Sequence, residues 1–264
     1  MLPVIGCGTY VGFDVGEAIQ QRRELANVVQ RLRDAGGTVF DSSPMYGRAE
    51  AVLGDLLAAA PDSERTFIAT KVWTRGHQDG TAQKERSFAL LKTRRIDLMQ
   101  VHNLVDWAVH LPTLRDWKKA GRVRYLGVTH YTASAYDELE AAMRKETLDF
   151  VQLNYSLDDR AAERKLLPLA ADRGIAVLVN LPFGGGGLLR SLRNRPVPEW
   201  AGKIGCTTWA QILLKFVLGH PAVTCAIPGT GNPAHMAENS LAGIGPLPDA
   251  ALRNRIVSTW TARK

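Results

Sequence analysis

Four side chains suited to acid–base chemistry recur at comparable places in this sequence. Asp41 closes the apolar run Thr38–Asp41, Lys71 closes Thr66–Lys71 and His102 closes Asp97–His102, while Tyr46 follows Asp41 in the loop that ends at Gly47. A tyrosine hydroxyl is a weak acid, with a reference pKa of about 10. An ammonium a few ångströms away is expected to lower that pKa, and a carboxylate behind the lysine to hold and orient it. A histidine beside them can position a substrate oxygen. Together the four describe a tuned proton donor for a carbonyl that is receiving a hydride. Each has a plainer use alone: Asp41 as a helix cap, Tyr46 as a packing aromatic, Lys71 as a solvated strand end, His102 as a core histidine. Their convergence is what favours chemistry.

Convergence needs a scaffold. Short runs rich in Val, Ile and Leu read as strands buried on both faces at Val4–Gly8, Thr38–Asp41, Thr66–Lys71, Asp97–His102, Arg124–Thr129, Phe150–Asn154, Ala176–Asn180 and Val223–Ile227. Between them lie helix-period segments. In the first, Leu25, Val28, Val29, Leu32 and Ala35 share one face and Gly36-Gly37 stops the helix; the others are Ala49–Ala60, Thr81–Thr93, Leu111–Ala120, Ala133–Lys145, Ala161–Arg173, Thr207–Leu218 and Pro233–Gly243. Alternation implies parallel strands with right-handed crossovers. Eight such units predict an α/β fold, a single-domain (β/α)8 TIM barrel over residues 1–264, with an open doubly wound sheet as the rival. In a barrel, residues at the carboxyl ends of strands face the active-site mouth, which is where three of the four side chains fall. The four glycines Gly184–Gly187, followed by Pro196 and Pro198, predict a long mobile loop on the rim.

Composition limits the classes of function. The 264 residues carry 33 Lys plus Arg against 26 Asp plus Glu, a formal charge of +7, at 45% hydrophobic content, which is ordinary for a globular protein. The charges are scattered, with Lys92, Arg94 and Arg95 the densest cluster, so no nucleic-acid partner is expected. No apolar run reaches the length of a membrane span, and the first residues show no secretory signal. Arg22 and Arg23 precede a helical pattern rather than a leader core. Cys7, Cys206 and Cys225 are far apart and form no CxxC, which argues against disulfides or a zinc knuckle and for a reduced, cytoplasmic setting.

Several familiar motifs fail. Gly6-x-Gly8-x-x-x-Gly12 has the wrong spacing for a dinucleotide fingerprint, and no helix opens at Gly8. No GxxxxGK[ST], GxSxG or HExxH occurs, which removes P-loop, serine-hydrolase and zinc-protease readings.

Read as ordered segments, the sequence resembles the aldo-keto reductase superfamily over nearly its whole length. The segments are GCGTY (6–10), Phe40-Asp41-Ser42-Ser43 running on into PMYGRAEAVLG (44–54), IATKVW (68–73), IDLMQVHN (96–103), GRVRYLGVTHY (121–131), VQLNY (151–155) and AIPGTGNPAHMAEN (226–239). The resemblance implies that Asp41, Tyr46, Lys71 and His102 are a catalytic tetrad with Tyr46 as proton donor. It implies NADPH, with NADH possible, bound without a Rossmann fold, and a small-molecule carbonyl substrate met by Tyr10, Tyr46, Trp73, His102 and Asn103. Thr9, Tyr10 and Asp41 would border the nicotinamide, Thr129, His130 and Gln152 its carboxamide, and Asn180 its ring. Pro182, Phe183, Gly184, Gly187 and Leu188 would lie along the pyrophosphate. Pro228, Thr230, His235, Glu238 and Asn239 would hold the adenosine end, at the start of a helix.

Departures from the family pattern bear on the cofactor. Thr129-His130 replaces the usual Ser-Asn, and Asn180 replaces a common stacking aromatic. Gly229 and His235 stand where NADPH-preferring members carry Lys and Arg, so the fixed cations that meet a 2′-phosphate are missing there. These departures motivate the alternative expectation: the same barrel and acid–base cluster used for isomerase, cyclase or lyase chemistry. A cofactor-sensing regulatory subunit is a further alternative, opposed by the intact tetrad.

Overall fold

All eight apolar runs become strands of one parallel sheet in a computed structural model that describes residues 2–60 and 63–261. They are β1 (Cys7–Gly8), β2 (Val39–Asp41), β3 (Phe67–Val72), β4 (Ile96–His102), β5 (Val123–Thr129), β6 (Phe150–Asn154), β7 (Ala176–Asn180) and β8 (Cys225–Ala226), hydrogen-bonded in chain order. The circuit then closes. Ile5 bridges to Ala226 and Gly8 to Gly229, Gly6 N donates to Ala226 O at 2.9 Å, and Ala226 N donates to Val4 O at 2.9 Å. Closure selects the (β/α)8 barrel over the open sheet. β1 and β8 are shorter than the runs that announced them, because this last seam pairs through single bridges rather than a full ladder. At that seam a Cβ on Gly8 would stand 2.9 Å from the Ile227 carbonyl oxygen, so the two backbones can meet only without a side chain.

The barrel interior explains how polar groups reach one end. Side chains alternate along a strand with a period of two. Val39, Phe67, Leu98, Phe150, Leu178 and Cys225 share an apolar interior cluster toward the amino-terminal end. Counting on by twos gives Asp41 on β2, Lys71 on β3, Gln100 and His102 on β4, Gln152 on β6 and Asn180 on β7. The opposite parity, including Phe40, Ile68, Val101, Val151 and Val179, belongs to the larger core under the helices. Strand parity alone therefore turns the chemical side chains inward at the carboxyl-terminal mouth.

Ten α-helices are present among the described residues: α1 (Ile19–Asp34), α2 (Ala49–Ala58), α3 (His77–Leu90), α4 (Trp107–Lys119), α5 (Tyr136–Lys145), α6 (Leu166–Asp172), α7 (Gly187–Leu192), α8 (Trp209–Leu218), α9 (Pro233–Leu241) and α10 (Ala250–Thr261). α1 buries Leu25, Val28, Val29 and Leu32 of the expected stripe, leaves Ala35 exposed just past its end, and begins at Ile19. α3 and α4 likewise start before Thr81 and Leu111; the first turn of α3 is largely exposed and carries little apolar periodicity, while that of α4 buries His110 and packs Trp107 against the core. The expected Ala133–Lys145 and Ala161–Arg173 each open with a 3₁₀ turn, Ala133–Ala135 and Ala161–Arg164. Two helices exceed the expected eight. α10 docks through buried Ile256 and through Arg253, whose guanidinium donates to Glu163 at 2.7 Å. α7 lies inside the stretch expected as a loop, which instead consists largely of helical turns: 3₁₀ at Gly184–Gly186, α7, and 3₁₀ at Glu199–Ile204. Leu188, Leu192, Trp200 and Ile204 anchor them in the core.

No helix among the described residues is long and apolar enough to cross a membrane. Cys7, Cys206 and Cys225 are free thiols, all buried. No group of three or more His, Cys, Asp and Glu is placed to hold a metal ion among the described residues.

Candidate active site

The turn after β2 builds the centre of the mouth. Ser43 Oγ accepts from Met45 N at 3.2 Å and Tyr46 N donates to Ser43 O at 3.0 Å, which presents the Tyr46 ring at the rim. Gly47 completes the turn at φ 60°, a left-handed geometry glycine adopts without strain.

Below that turn, Lys71 Nζ lies 2.6 Å from Asp41 Oδ2 and donates to Ser42 O at 2.7 Å. Asp41 Oδ1 also accepts from Gln152 Nε2 at 2.9 Å and Gln100 Nε2 at 3.3 Å. Lys71 is fully buried, and burial lowers its pKa although Asp41 and Glu50 pull it upward. The ammonium stands 5.3 Å from the centroid of the Tyr46 ring, and the Tyr46 ring packs at 5.0 Å from Tyr10 and edge-on at 5.6 Å from His102. The expected lysine-driven lowering of the tyrosine pKa is not found. Burial first, then the Asp41 charge and Tyr10, raise Tyr46 above the ordinary phenol range, because the Lys71 charge is spent on Asp41. His102 Nδ1 lies 2.9 Å from Ser43 Oγ, and burial, with Lys71 and His130 adding to it, lowers the imidazole from 6.5 to about 2. At neutral pH the site therefore holds a phenol, a neutral imidazole and a buried ion pair.

These groups open onto one cavity of about 940 Å³. Of the residues singled out in the sequence, Thr9, Tyr10, Asp41, Tyr46, His102, Asn103, Thr129 and Gln152 line it. Asn180, Pro182, Phe183, Thr230, His235, Glu238 and Asn239 continue along it. Thr129 Oγ1 donates to Gln152 Oε1 at 3.2 Å, so these two are coupled to each other and, through Gln152, to Asp41. Asn103 Oδ1 and Asn180 Oδ1 are buried without a hydrogen-bond partner.

Other expected residues stand off the cavity wall. Lys71 is sealed behind Asp41. His130 stacks on Tyr131 with centroids 5.6 Å apart, and Tyr131 takes the wall position. Trp73 is exposed outside the wall, where its backbone N donates to Gln83 Oε1 at 2.5 Å. Leu188 is a core residue, Gly187 begins α7, Gly184 abuts the Asp158 carboxylate, and the Pro228 carbonyl accepts from Gly8 N at 3.2 Å. His130, Gly184, Gly187, Leu188 and Pro228 each sit one or two positions from a lining residue, since neighbours on a strand or turn face opposite ways, whereas no residue near Lys71 or Trp73 in the chain lines the cavity. Sequence reasoning missed Ser43 and the wall residues Val11, Tyr131, Leu181 and Trp209, while Arg193 and Arg195 fall on the segment from Arg190 to Arg195 where an arginine could read the cofactor phosphate. The one signal for Ser43 is its place between Asp41 and Tyr46; the others come largely from loops with no pattern of their own.

A barrel with an acid–base cluster at its carboxyl-terminal mouth and a long cavity leading from it defines a class that known proteins fill. The chain matches the model of the Aldo/keto reductase family over residues 4–254, and it belongs to that family. A crystal structure of an aldo/keto reductase from Klebsiella pneumoniae in complex with NADP and acetate superposes with a TM-score of 0.81 at 26% identity, covering 97% of this chain and 92% of that one. Among curated relatives, the NADH-specific methylglyoxal reductase of Escherichia coli is 26% identical over 228 residues, which cover 75% of this chain and 68% of the relative. An uncharacterized oxidoreductase of Mycobacterium tuberculosis is 29% identical over 179 residues; the match covers 64% of this chain and 54% of the relative, so the chain spans little more than half of that protein's length.

Proposed function

We propose that this chain is an NAD(P)H-dependent reductase of aldehydes or ketones. The observation that carries the proposal is that Tyr46 and His102 meet edge-to-face on the wall of a cavity that Asp41 also lines, with Lys71 paired to Asp41 behind it.

The cavity suits a nicotinamide dinucleotide. Asn180, with its orphaned buried carbonyl oxygen, and the Thr129–Gln152 pair offer amide and hydroxyl groups to a carboxamide at the inner end. Pro182 and Phe183 border the middle. Thr230, His235, Glu238 and Asn239 border the far end, where α9 begins with its Asn232 side chain accepting from Ala234 N at 2.8 Å. Relatives with bound NADP and with NADH specificity support both forms of the cofactor here, with NADPH favoured. When bound, the cofactor supplies a hydride for the carbonyl carbon.

The protein's part is the proton and the geometry. Tyr46 is the general acid. Because its pKa is raised, the hydroxyl keeps its proton in the resting site and releases it only to an oxygen as basic as a developing alkoxide. Lys71, over the ring face, favours the tyrosinate left behind, and Asp41 keeps the lysine in place. His102, neutral, orients the carbonyl oxygen. Val11, Tyr131 and Leu181 give the mouth an apolar rim.

Trp209 borders the cavity, so indole fluorescence reports occupancy. Titration with NADPH and NADH is expected to quench it saturably, and adding a small aldehyde to the loaded protein to consume the reduced cofactor. No saturable binding of either dinucleotide contradicts the proposal. Binding without consumption across aldehydes and ketones favours the non-redox use of the same cluster.

A further inference from the structure

We infer that Ser43 is a positioning residue that holds His102 as the neutral tautomer with its ring proton on Nε2, leaving that N–H as the donor the cavity meets. Proton counting carries the inference. Ser43 Oγ has one hydrogen and two lone pairs. It already accepts from Met45 N at 3.2 Å, and its other contact is His102 Nδ1 at 2.9 Å. If Nδ1 carried the proton, Oγ would accept twice and its own hydrogen would have no acceptor in a place with no solvent, since Ser43 is fully buried. A buried hydroxyl left without a partner is penalised. With Nδ1 bare, Ser43 donates to it and Met45 donates to Ser43, so the buried hydroxyl uses both its hydrogen and a lone pair.

The imidazolium is excluded by the same surroundings. Burial and the nearby Lys71 ammonium disfavour a second positive charge on the ring. The proton must then sit on Nε2, which hydrogen-bonds to nothing among the described residues, on a side chain that lines the cavity. The adjacent serine does parallel work: the Ser42 carbonyl accepts from Lys71 Nζ at 2.7 Å. The dipeptide Ser42-Ser43 thus fixes a proton inventory on both sides of Tyr46.

The consequence for chemistry rests on the proposed reductase reading, in which His102 orients the carbonyl oxygen; the tautomer itself does not. It is read directly from proton–nitrogen correlation spectra of the protein carrying isotope-labelled histidine, at neutral pH, with His102→Gln identifying the signal. The expected result is a single neutral form with Nε2 protonated and Nδ1 bare. In Ser43→Ala, Nδ1 loses its donor, and the His102 signal is expected to shift to a mixture of tautomers. Reduction by Ser43→Ala should fall about tenfold in kcat, the worth of about one hydrogen bond, with the cofactor's dissociation constant unchanged. Ser43→Thr, which keeps the hydroxyl, should restore the wild-type pattern. A protonated Nδ1 in the wild type, or an unaltered tautomer in Ser43→Ala, overturns the inference. The wild-type spectrum decides even if the alanine variant does not fold. A failure of cofactor binding would sink the reductase reading and leave this spectrum as it is.

Discussion

The Lys71 ammonium lies over the face of the Tyr46 ring, 5.3 Å from its centroid, while its hydrogen bonds go to Asp41 and Ser42. The lysine therefore supports the phenol without tuning it down in the resting state. Its charge is matched by a carboxylate that itself pushes the tyrosine pKa up. The tyrosine is loaded with its proton, and in the proposed reaction the lysine's effect is felt when a tyrosinate forms.

That arrangement makes the ion pair a stability element as well. Removing one partner of a buried pair leaves the other uncompensated, at a cost of about 3–5 kcal/mol. Lys71→Met is expected to lose stability of that order, softened by the Gln100 and Gln152 amides that still donate to Asp41. Adding Asp41→Asn should recover much of it while reduction stays impaired. Urea unfolding of the single and double variants measures both, and a Lys71→Met protein as stable as the wild type contradicts the buried pair.

His102 predicts an acid-sensitive fold. Its folded pKa is lowered to about 2, against an ordinary 6.5. Between those values the unfolded chain binds a proton that the folded chain does not, so stability falls as pH drops below about 6.5. The slope is about 1.4 kcal/mol per pH unit for this one group. His110, His130 and His220 are lowered too and add to it. His102→Gln should reduce the slope between pH values of about 6 and 5 by about one proton's worth. Equal slopes would mean that His102 charges in the folded protein.

Cofactor preference turns on which cations the cavity offers. Gly229 supplies none and His235 is not a fixed cation, but Arg193, exposed after α7, stands on the same wall. We expect NADPH to be preferred over NADH by about tenfold, equivalent to about 1.4 kcal/mol. Arg193→Ala should bring the ratio of dissociation constants close to one and steepen nothing else, whereas His235→Ala should change it less. A ratio that ignores Arg193→Ala assigns the phosphate to another group.

Much of this site is legible in the residues alone, and the reasons are physical. Strands buried on both faces announce themselves as apolar runs, and parity then carries Asp41, Lys71 and His102 to the mouth. What periodicity cannot register is a side chain placed by a turn. Ser43 presents one hydroxyl from a loop, and Arg193 reaches the cavity wall from a segment held by Leu188 and Leu192 that glycines and prolines disguise as loop. The starts of α1 and α3 escape a reading by periodicity because a largely exposed first turn has no apolar stripe, and the start of α4 because its buried member is a histidine, His110. α10 carries a stripe that the sequence reading passed over: Leu252, Ile256 and Trp260 recur at spacings of four, with Ile256 buried and the other two packed against the core. The sign of the Tyr46 shift is hidden for a different reason. It depends on how one charge is divided between Asp41 and the ring, which distance and burial decide and spacing does not.

The proton donor is the centre of the proposed reaction, and Tyr46→Phe probes it with the ring and its packing against Tyr10 and His102 retained. Turnover of the NADPH-loaded protein with a small aldehyde, beside the dissociation constant of NADPH, is the measurement. The expected result is an unchanged dissociation constant with reduction slowed by about 10²-fold or more, the worth of a general acid. Reduction by Tyr46→Phe within a few-fold of the wild-type rate would contradict the assignment of Tyr46 as the proton donor.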